Sequence, residues 1–211
     1  AIPCGGSAVP KALSEGYRRT TGLPILQAWG MTETSPIGAV CSIKSTLDDL
    51  WDRHFFDSAA AYTAANPKSG RWVDMGSGGG FPGAVVAILA AELAPELQVT
   101  CIESDVRKAS FLRTLATQLQ IPMGVLSRRI EDTPPQNADF LSARALSPLK
   151  LLLGHCERHL SPEGRGVFLK GETWRQEVDE ALETFRFSVD NRPSPTHPGS
   201  AILVVGDISR A

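Results

Sequence analysis

The sequence predicts an α/β fold: a largely parallel sheet with helices on both faces, an antiparallel last strand and a short N-terminal appendage. Three observations predict it. From Trp72 onward, short apolar strand-like runs alternate with helix-length segments, and such alternation builds parallel strands joined by crossover helices. The first of those strands runs into Gly76-Ser77-Gly78-Gly79-Gly80 before a helix begins. The last two strands have no helix between them, and strands joined directly pair antiparallel.

The elements follow in order. Between two turn-rich patches, Cys4-Gly5-Gly6-Ser7 and Gly30-Met31-Thr32-Glu33-Thr34, the spacing predicts a helix over Lys11–Arg19 and a strand over Ile25–Trp29. Thr46-Leu47-Asp48-Asp49 then reads as a helix start, with Thr46 as N-cap and an acidic first turn. Leu47, Leu50, Trp51, Phe55 and Ala59 recur at helical spacing, and Asn66-Pro67 ends the helix. Trp72–Met75 is the first core strand and Phe81–Leu93 an Ala-rich helix. Gln98–Ile102 is the next strand and Val106–Leu119 an amphipathic helix. Strands follow at Gly124–Leu126 and Phe140–Ala143, a helix at Pro148–Leu160 with proline early in its first turn, and a strand at Gly166–Leu169. A helix over Trp174–Thr184 and strands at Phe185–Val189 and Ala201–Val205 complete the chain. A parallel sheet with this antiparallel finish resembles the Rossmann-like seven-stranded sheet of methyltransferases rather than a symmetric dinucleotide fold.

Bulk properties narrow the class. Apolar residues make up 42% of 211 residues, enough for a substantial core. The formal net charge of −2 gives no long-range reason to expect nucleic-acid binding, so an RNA partner has to be met by local basic groups. The 4 cysteines, Cys4, Cys41, Cys101 and Cys156, have no metal-site or redox-pair spacing; they read as reduced thiols, Cys101 as a small buried hydrophobe. No apolar stretch is long enough for a membrane span, and no signal peptide is visible. The expectation is a cytoplasmic protein, with the oligomeric state open.

The strongest local signal is Trp72-Val73-Asp74-Met75-Gly76-Ser77-Gly78-Gly79-Gly80-Phe81-Pro82-Gly83. A buried strand ends, glycines allow positive φ and close ligand approach, and a helix starts. In open parallel sheets ligands sit beyond the carboxyl ends of such strands. Asp74 either fixes the loop or accepts a hydrogen bond from the ammonium of a methionyl group. Glu103, ending the next strand, can accept from both ribose hydroxyls of a nucleoside. Gly78-Gly79-Gly80-Phe81-Pro82-Gly83 also fits the dinucleotide fingerprint G-x-G-x-x-G. No second mononucleotide half follows it, so a dinucleotide enzyme or a purely structural glycine turn are the lesser alternatives.

Several islands carry a resemblance. Leu50-Trp51-Asp52-Arg53-His54-Phe55-Phe56-Asp57-Ser58, Asp74 through Gly83, Ile102-Glu103-Ser104, Arg107-Lys108-Ala109-Ser110-Phe111-Leu112, Ala143-Arg144-Ala145 and Leu169-Lys170-Gly171 occur in order. Over residues 46–211 the chain resembles the bacterial glucose-inhibited division protein B family. These are the small-subunit ribosomal RNA (guanine-N7) methyltransferases, also called 16S rRNA methyltransferase G. The resemblance implies S-adenosylmethionine as cofactor and 16S ribosomal RNA or the small ribosomal subunit as partner. It implies Gly76 and Phe81 in the cofactor pocket, Ile130-Glu131 near the adenine, and Arg144 as the cofactor-site arginine; Gly78, in the same turn, is a further cofactor-binding candidate. Ala143 stands where many relatives carry serine, which weakens a hydroxyl role there.

Residues 1–45 resemble something else. Gly5-Gly6-Ser7-Ala8-Val9-Pro10 and Gln27-Ala28-Trp29-Gly30-Met31-Thr32-Glu33-Thr34-Ser35-Pro36 are similar to the adenylate-forming acyl-CoA synthetases. In that family the Gly-Met-Thr-Glu stretch touches ATP and magnesium, but its phosphate loop and catalytic lysine region have no counterpart here. The chain therefore reads as a chimera joined near Ser45, with the alternatives of a same-fold methyltransferase on another substrate or a cofactor-binding protein inactive on RNA.

For guanine-N7 transfer the resemblance implies alignment rather than acid–base catalysis, because N7 carries an in-plane lone pair. Arg144 and Lys170 can donate to guanine O6 or phosphate. His54 either contacts the base or cofactor, or braces the first helix. RNA contacts are expected among Arg53, Arg107, Lys108, Arg113, Arg128, Arg129, Lys150 and Arg165. His155 and His159 stand four apart beside Cys156, a spacing that can hold zinc. The stripe Leu149, Leu152, Leu153, Cys156 and Leu160 would leave those histidines toward solvent, and no metal site is expected.

Overall fold

The computed structural model describes residues 2–5, 25–28 and 51–211. The chain divides into two compact units, Ala1–Trp51 and Asp52–Ala211. In the first, β1 (Ile2–Gly5) pairs in parallel with β2 (Ile25–Ala28). Cys4 and Gly5, expected in a turn, belong to β1 because their backbone pairs with Gln27 and Ala28. The expected helix over 11–19, the 30–34 turn, the Thr46 cap and the junction near residue 45 lie outside the described residues.

The second unit is built on a seven-stranded sheet of order β5-β4-β3-β6-β7-β9-β8. Its strands are β3 (Gly70–Met75), β4 (Leu97–Ile102), β5 (Met123–Leu126), β6 (Ala138–Arg144), β7 (Leu160–Lys170), β8 (Phe185–Pro193) and β9 (Ala201–Arg210). The strands from β5 to β7 are parallel neighbours, whereas β9 runs antiparallel to both β7 and β8. The helices are α1 (Asp57–Ala65), α2 (Gly83–Leu93), α3 (Val106–Leu119), α4 (Leu149–His159) and α5 (Trp174–Leu182).

Period-two alternation sorts the core into two layers. Trp72, Val167, Leu169 and Ile202 point to the face covered by α1, α2 and α3, through Ala61, Ala84, Ala87 and Leu112. Val73, Met75, Leu141, Phe168 and Leu203 point to the other face, against Leu149, Leu152 and Leu153 of α4 and Trp174 and Ala181 of α5. Burial on both faces is why β3 is buried without a break from Trp72 to Met75. Cys101 is buried on the first face, its sulfur 3.6 Å from that of Met123.

Local chemistry sets the ends. A π-helical turn, Trp51–Phe56, precedes α1 where one continuous α-helix was expected. α1 stops at Asn66, whose φ of 47° and N–H bond to the Tyr62 carbonyl form a left-handed cap before Pro67. Asp105 caps α3 by accepting the N–H groups of Arg107 and Lys108. α2 begins at Gly83 and not at Phe81: the N–H of Phe81 bonds back to the Ser77 carbonyl, which keeps Phe81 in the turn. β7 starts six residues before the expected Gly166, because Leu160 pairs with Ala138 of β6 and the Ser-Pro-Glu-Gly stretch is taken up in a register shift before Arg165 pairs with Phe140.

The histidine expectation on α4 is overturned. His159 is wholly buried and His155 half-buried. His159, seven residues after Leu152, falls on the buried stripe itself, while the segment 130–133 lies against the last turn of α4, with Arg158 donating to the Thr133 carbonyl, and Leu151 and Arg158 stay exposed. Burial, with Arg158 adjacent, holds the His159 imidazole below its usual range. Among the described residues, no three His, Cys, Asp or Glu side chains converge as metal ligands.

A Cβ on Gly83 would sit 2.6 Å from Asp74 Oδ2 and 2.7 Å from Cys101 Sγ. Gly83→Ala should therefore force α2 off β3 and β4, lowering stability by about 2–3 kcal/mol in urea unfolding. A midpoint unchanged from wild type would contradict that close approach.

Candidate active site

The chain passes outward from β3 to β4 and β5 and then returns to β6, so the strand order reverses beside β3. Crevices open at the carboxyl ends of strands at such points. The glycine turn sits there. Gly76, Gly78 and Gly80 have φ of 63°, 52° and 94°, in a region side-chain-bearing residues rarely adopt. The N–H groups of Gly76 and Ser77 bond the Ile102 carbonyl at 2.9 and 3.2 Å, tying the turn to the end of β4.

Asp74 is fully buried. Its Oδ1 accepts the Ser142 hydroxyl at 2.6 Å and its Oδ2 the Gly83 N–H at 3.2 Å. Trp72 Nε1–H donates in turn to Ser142 Oγ at 2.8 Å. Of the two roles considered for Asp74, the geometry shows loop fixing. Burial pushes its pKa up from 3.8 to about 6, against the hydrogen bonds from Ser142 and Gly83, and the Glu103 carboxylate adds to the rise. Ser142 was missed in the sequence: the hydroxyl sits one residue before Ala143, on the opposite face of β6.

Glu103 directly follows β4 and turns toward the glycines. Its Oε2 accepts the Gly78 N–H and its Oε1 the Asp105 N–H, both at 2.8 Å. Each oxygen retains a further lone pair for another donor. A Cβ on Gly78 would meet nothing nearer than the Gly76 carbonyl at 3.8 Å, so the space beside that carboxylate is open. Beyond it, Ile130, Glu131, Leu146, Leu151 and His155 line a cavity of about 470 Å³. Leu146 also lies against Gly76, where an added Cβ would meet its Cδ1 at 2.7 Å. This cradle fits a nucleoside: a carboxylate beside bare backbone, then an apolar recess.

On the other side, Phe81 gathers an aromatic and cationic cluster. His54 stacks on it at 5.0 Å, Phe55 meets it edge-on at 5.1 Å, and the Arg144 guanidinium carbon lies 5.9 Å from its centroid. The guanidinium distance is at the outer limit of a cation–π contact. Burial pulls the Arg144 pKa down from its ordinary value, while the nearby Asp57 and Asp74 carboxylates oppose the change. The structure thus brings His54, Phe81 and Arg144 together.

Lys170, expected as a donor to guanine O6 or phosphate, is paired within the protein. Its ammonium lies 2.6 Å from Glu177 Oε2 and donates to the Ser147 carbonyl at 2.9 Å. Glu177 Oε2 also accepts the Leu149 N–H that opens α4. Lys170 thus fastens α5 to the start of α4, with its charge paired to Glu177. Of the expected RNA contacts, Arg107, Arg128 and Arg129 are exposed near the carboxyl ends of the strands. Arg113 donates to the Val125 carbonyl and Lys150 lies 4.0 Å from Glu183. Arg165 pairs with Phe140, well below the crevice. The side chain of Arg53 lies outside the described residues.

A SAM-dependent methyltransferase from Aquifex aeolicus superposes with a TM-score of 0.59 at 17% identity, over 76% of this chain and 94% of that one. M. jannaschii TYW2, solved in complex with AdoMet, superposes with a TM-score of 0.54 at 14% identity, over 74% and 77%. Two relatives named Ribosomal RNA small subunit methyltransferase G are much nearer in sequence. That of Ruegeria sp. (strain TM1040) is 48% identical over 167 residues, 79% of this chain and 81% of the relative. That of Jannaschia sp. (strain CCS1) is 43% identical over 159 residues, 75% of each. Fold and relatives together define an S-adenosylmethionine-dependent methyltransferase. The chain belongs to the GidB family, rRNA small subunit methyltransferase G, whose sequence profile matches residues 40–195.

Two outcomes test this site. Glu103→Gln leaves an amide N–H₂ facing a backbone N–H, so affinity for S-adenosylmethionine in calorimetry should fall about 10- to 100-fold; wild-type affinity would remove Glu103 from the nucleoside site. Because the folded-state pKa of Asp74 lies above 3.8, the folded protein holds that proton more tightly and loses the advantage as pH rises through about 6. Asp74→Asn should therefore gain stability relative to wild type by about 2 kcal/mol between pH 4 and 7, and a pH-independent difference in urea unfolding would contradict this.

Proposed function

We propose that the protein transfers the methyl group of S-adenosylmethionine to N7 of a guanosine in small-subunit ribosomal RNA, acting in the cytoplasm. The observation that carries the reading is the juxtaposition, on one crevice, of the Glu103–Gly78 cradle with the Phe81–His54–Arg144 cluster, in a chain 48% identical to a protein named for small-subunit ribosomal RNA. S-adenosylmethionine, when bound, supplies an electrophilic methyl on a sulfonium centre. Glu103 and the turn from Gly76 to Gly78 would hold its ribose and methionyl portions, and Ile130, Glu131 and Leu146 its adenine.

The remaining work falls to side chains that position and exclude. Guanine N7 needs no proton removed, so alignment accounts for most of the acceleration. Phe81 presents an aromatic face between the cradle and Arg144 and keeps water from that wall. Arg144 donates to the acceptor edge of the base while Asp57 and Asp74 balance its charge. Exposed Arg107, Arg128 and Arg129 meet phosphates at the rim. We read residues 1–45 as an appendage resembling an acyl-CoA synthetase fragment, joined to a methyltransferase domain over 46–211. The separate compact unit Ala1–Trp51 supports this reading.

Incubation with methyl-tritiated S-adenosylmethionine and small ribosomal subunits lacking the modification should place label in the RNA as N7-methylguanosine. Arg144→Ala should lower that rate about 100-fold or more. Label found on protein or on another nucleotide would overturn the substrate assignment.

A further inference from the structure

Beside the cofactor cradle, on the β6–β7–β9 side, lies a second cavity of about 220 Å³. Asp57 from the first turn of α1, Arg144 from the end of β6, and Ser194 and His197 from the loop between β8 and β9 line it. Asp57 was present in one of the sequence islands but had no role assigned. Its Oδ1 accepts the Ser194 hydroxyl at 2.8 Å and the Thr196 hydroxyl at 3.0 Å. Ser194 Oγ in turn accepts the N–H groups of Thr196 and His197 at 3.2 and 3.0 Å. The loop is thus wound around one hydroxyl and hooked to one carboxylate oxygen.

That hook leaves a polarised pocket. Asp57 lines it, and its Oδ2 makes no hydrogen bond to another described residue. His197 Nδ1 lies 3.1 Å from the Pro198 carbonyl; a carbonyl only accepts, so Nδ1 carries the hydrogen and Nε2 of the neutral ring is an acceptor. Lys170 reaches the lining, but its charge is held by Glu177. One wall therefore donates, through Arg144, and the other accepts, through Asp57 and His197.

Guanine carries the complementary pattern. O6 and N7 are acceptors on one edge, and N1–H and the N2 amine are donors on the adjoining edge. Adenine places a donor beside N7 and an acceptor at N1, which would set an acceptor against the Asp57 carboxylate. We propose that Asp57, held by the 194–200 loop, reads the N1–H and N2 amine of the target guanine, with Arg144 at O6. N7, next to O6, then faces the crevice at Gly76. This inference rests on the guanine reading above and adds the residue that selects the base.

The test uses the full chain as wild type, Asp57→Asn and Ser194→Ala. Each is assayed for S-adenosylmethionine affinity by calorimetry, for methyl transfer to unmodified small subunits, and for binding of GMP, IMP and AMP by NMR with S-adenosylhomocysteine present. Asp57→Asn should lower kcat/KM on the subunits about 10- to 100-fold, leave cofactor affinity within about twofold, and abolish a wild-type preference for GMP over both IMP and AMP. Ser194→Ala should lower kcat/KM in the same direction with cofactor binding intact, and it decides the matter if Asp57→Asn does not fold. Turnover of both variants at the wild-type rate, or a wild type that binds the three nucleotides alike, would overturn the inference. A wild type that prefers GMP through Asp57 yet does not methylate the subunits would sustain the pocket and sink the ribosomal substrate.

Discussion

The glycine turn is held by a carboxylate that solvent never reaches. Asp74 joins three elements at once: β3 that carries it, β6 through Ser142, and α2 through the Gly83 N–H. An ionised group in that position survives burial only because each oxygen is hydrogen-bonded, and Ser142 is itself oriented by Trp72. With the strand end and the helix start fastened to one side chain, the intervening residues must fold back over a short distance. Three positive φ values in that stretch are the consequence, and glycine is the residue that adopts them at least cost. The cradle is therefore formed before any ligand arrives, which lowers the ordering cost of binding.

The other carboxylates divide the remaining tasks by position. Glu103, at the rim, organises the backbone of the turn and of α3 while keeping lone pairs toward the open side. Glu177 neutralises Lys170 and fixes the start of α4. The pair is mostly removed from solvent, so breaking one partner would strand the other charge. Arg144 is the cation whose charge bears on the crevice, and it is enclosed enough for burial to depress its pKa. Desolvation of this kind strengthens whatever hydrogen bond it makes.

Phe81 links the two halves of the site. It projects from the turn because the chain there is bonded back to Ser77 rather than continued as helix. On that ring meet His54 and Phe55 from the π-helical turn before α1 and Arg144 from β6. Arg144, which reaches that ring, also lines the cavity beside Asp57.

Much of this was legible in the chain itself, for physical reasons. Strand and helix periodicities reflect burial on two faces or one, so the order of elements from Trp72 onward, the antiparallel finish, and the glycine turn between Asp74 and Glu103 could be read directly. What depends on long-range packing could not. The boundaries of β7 depend on pairing with β6 across a register shift. The enclosure of His155 depends on Ile130 and Glu131, more than twenty residues earlier, which line the same cavity. Lys170 looked available because Glu177 stands on a different element, and Asp57 acquired its surroundings from a loop 137 residues downstream. Sequence spacing determined which backbone could bend and where the glycine turn and the Glu103 carboxylate come together. Tertiary structure decided which charges are spent on each other and which are left facing the crevice, because a charge is neutralised by its neighbours in space and not by its neighbours along the chain.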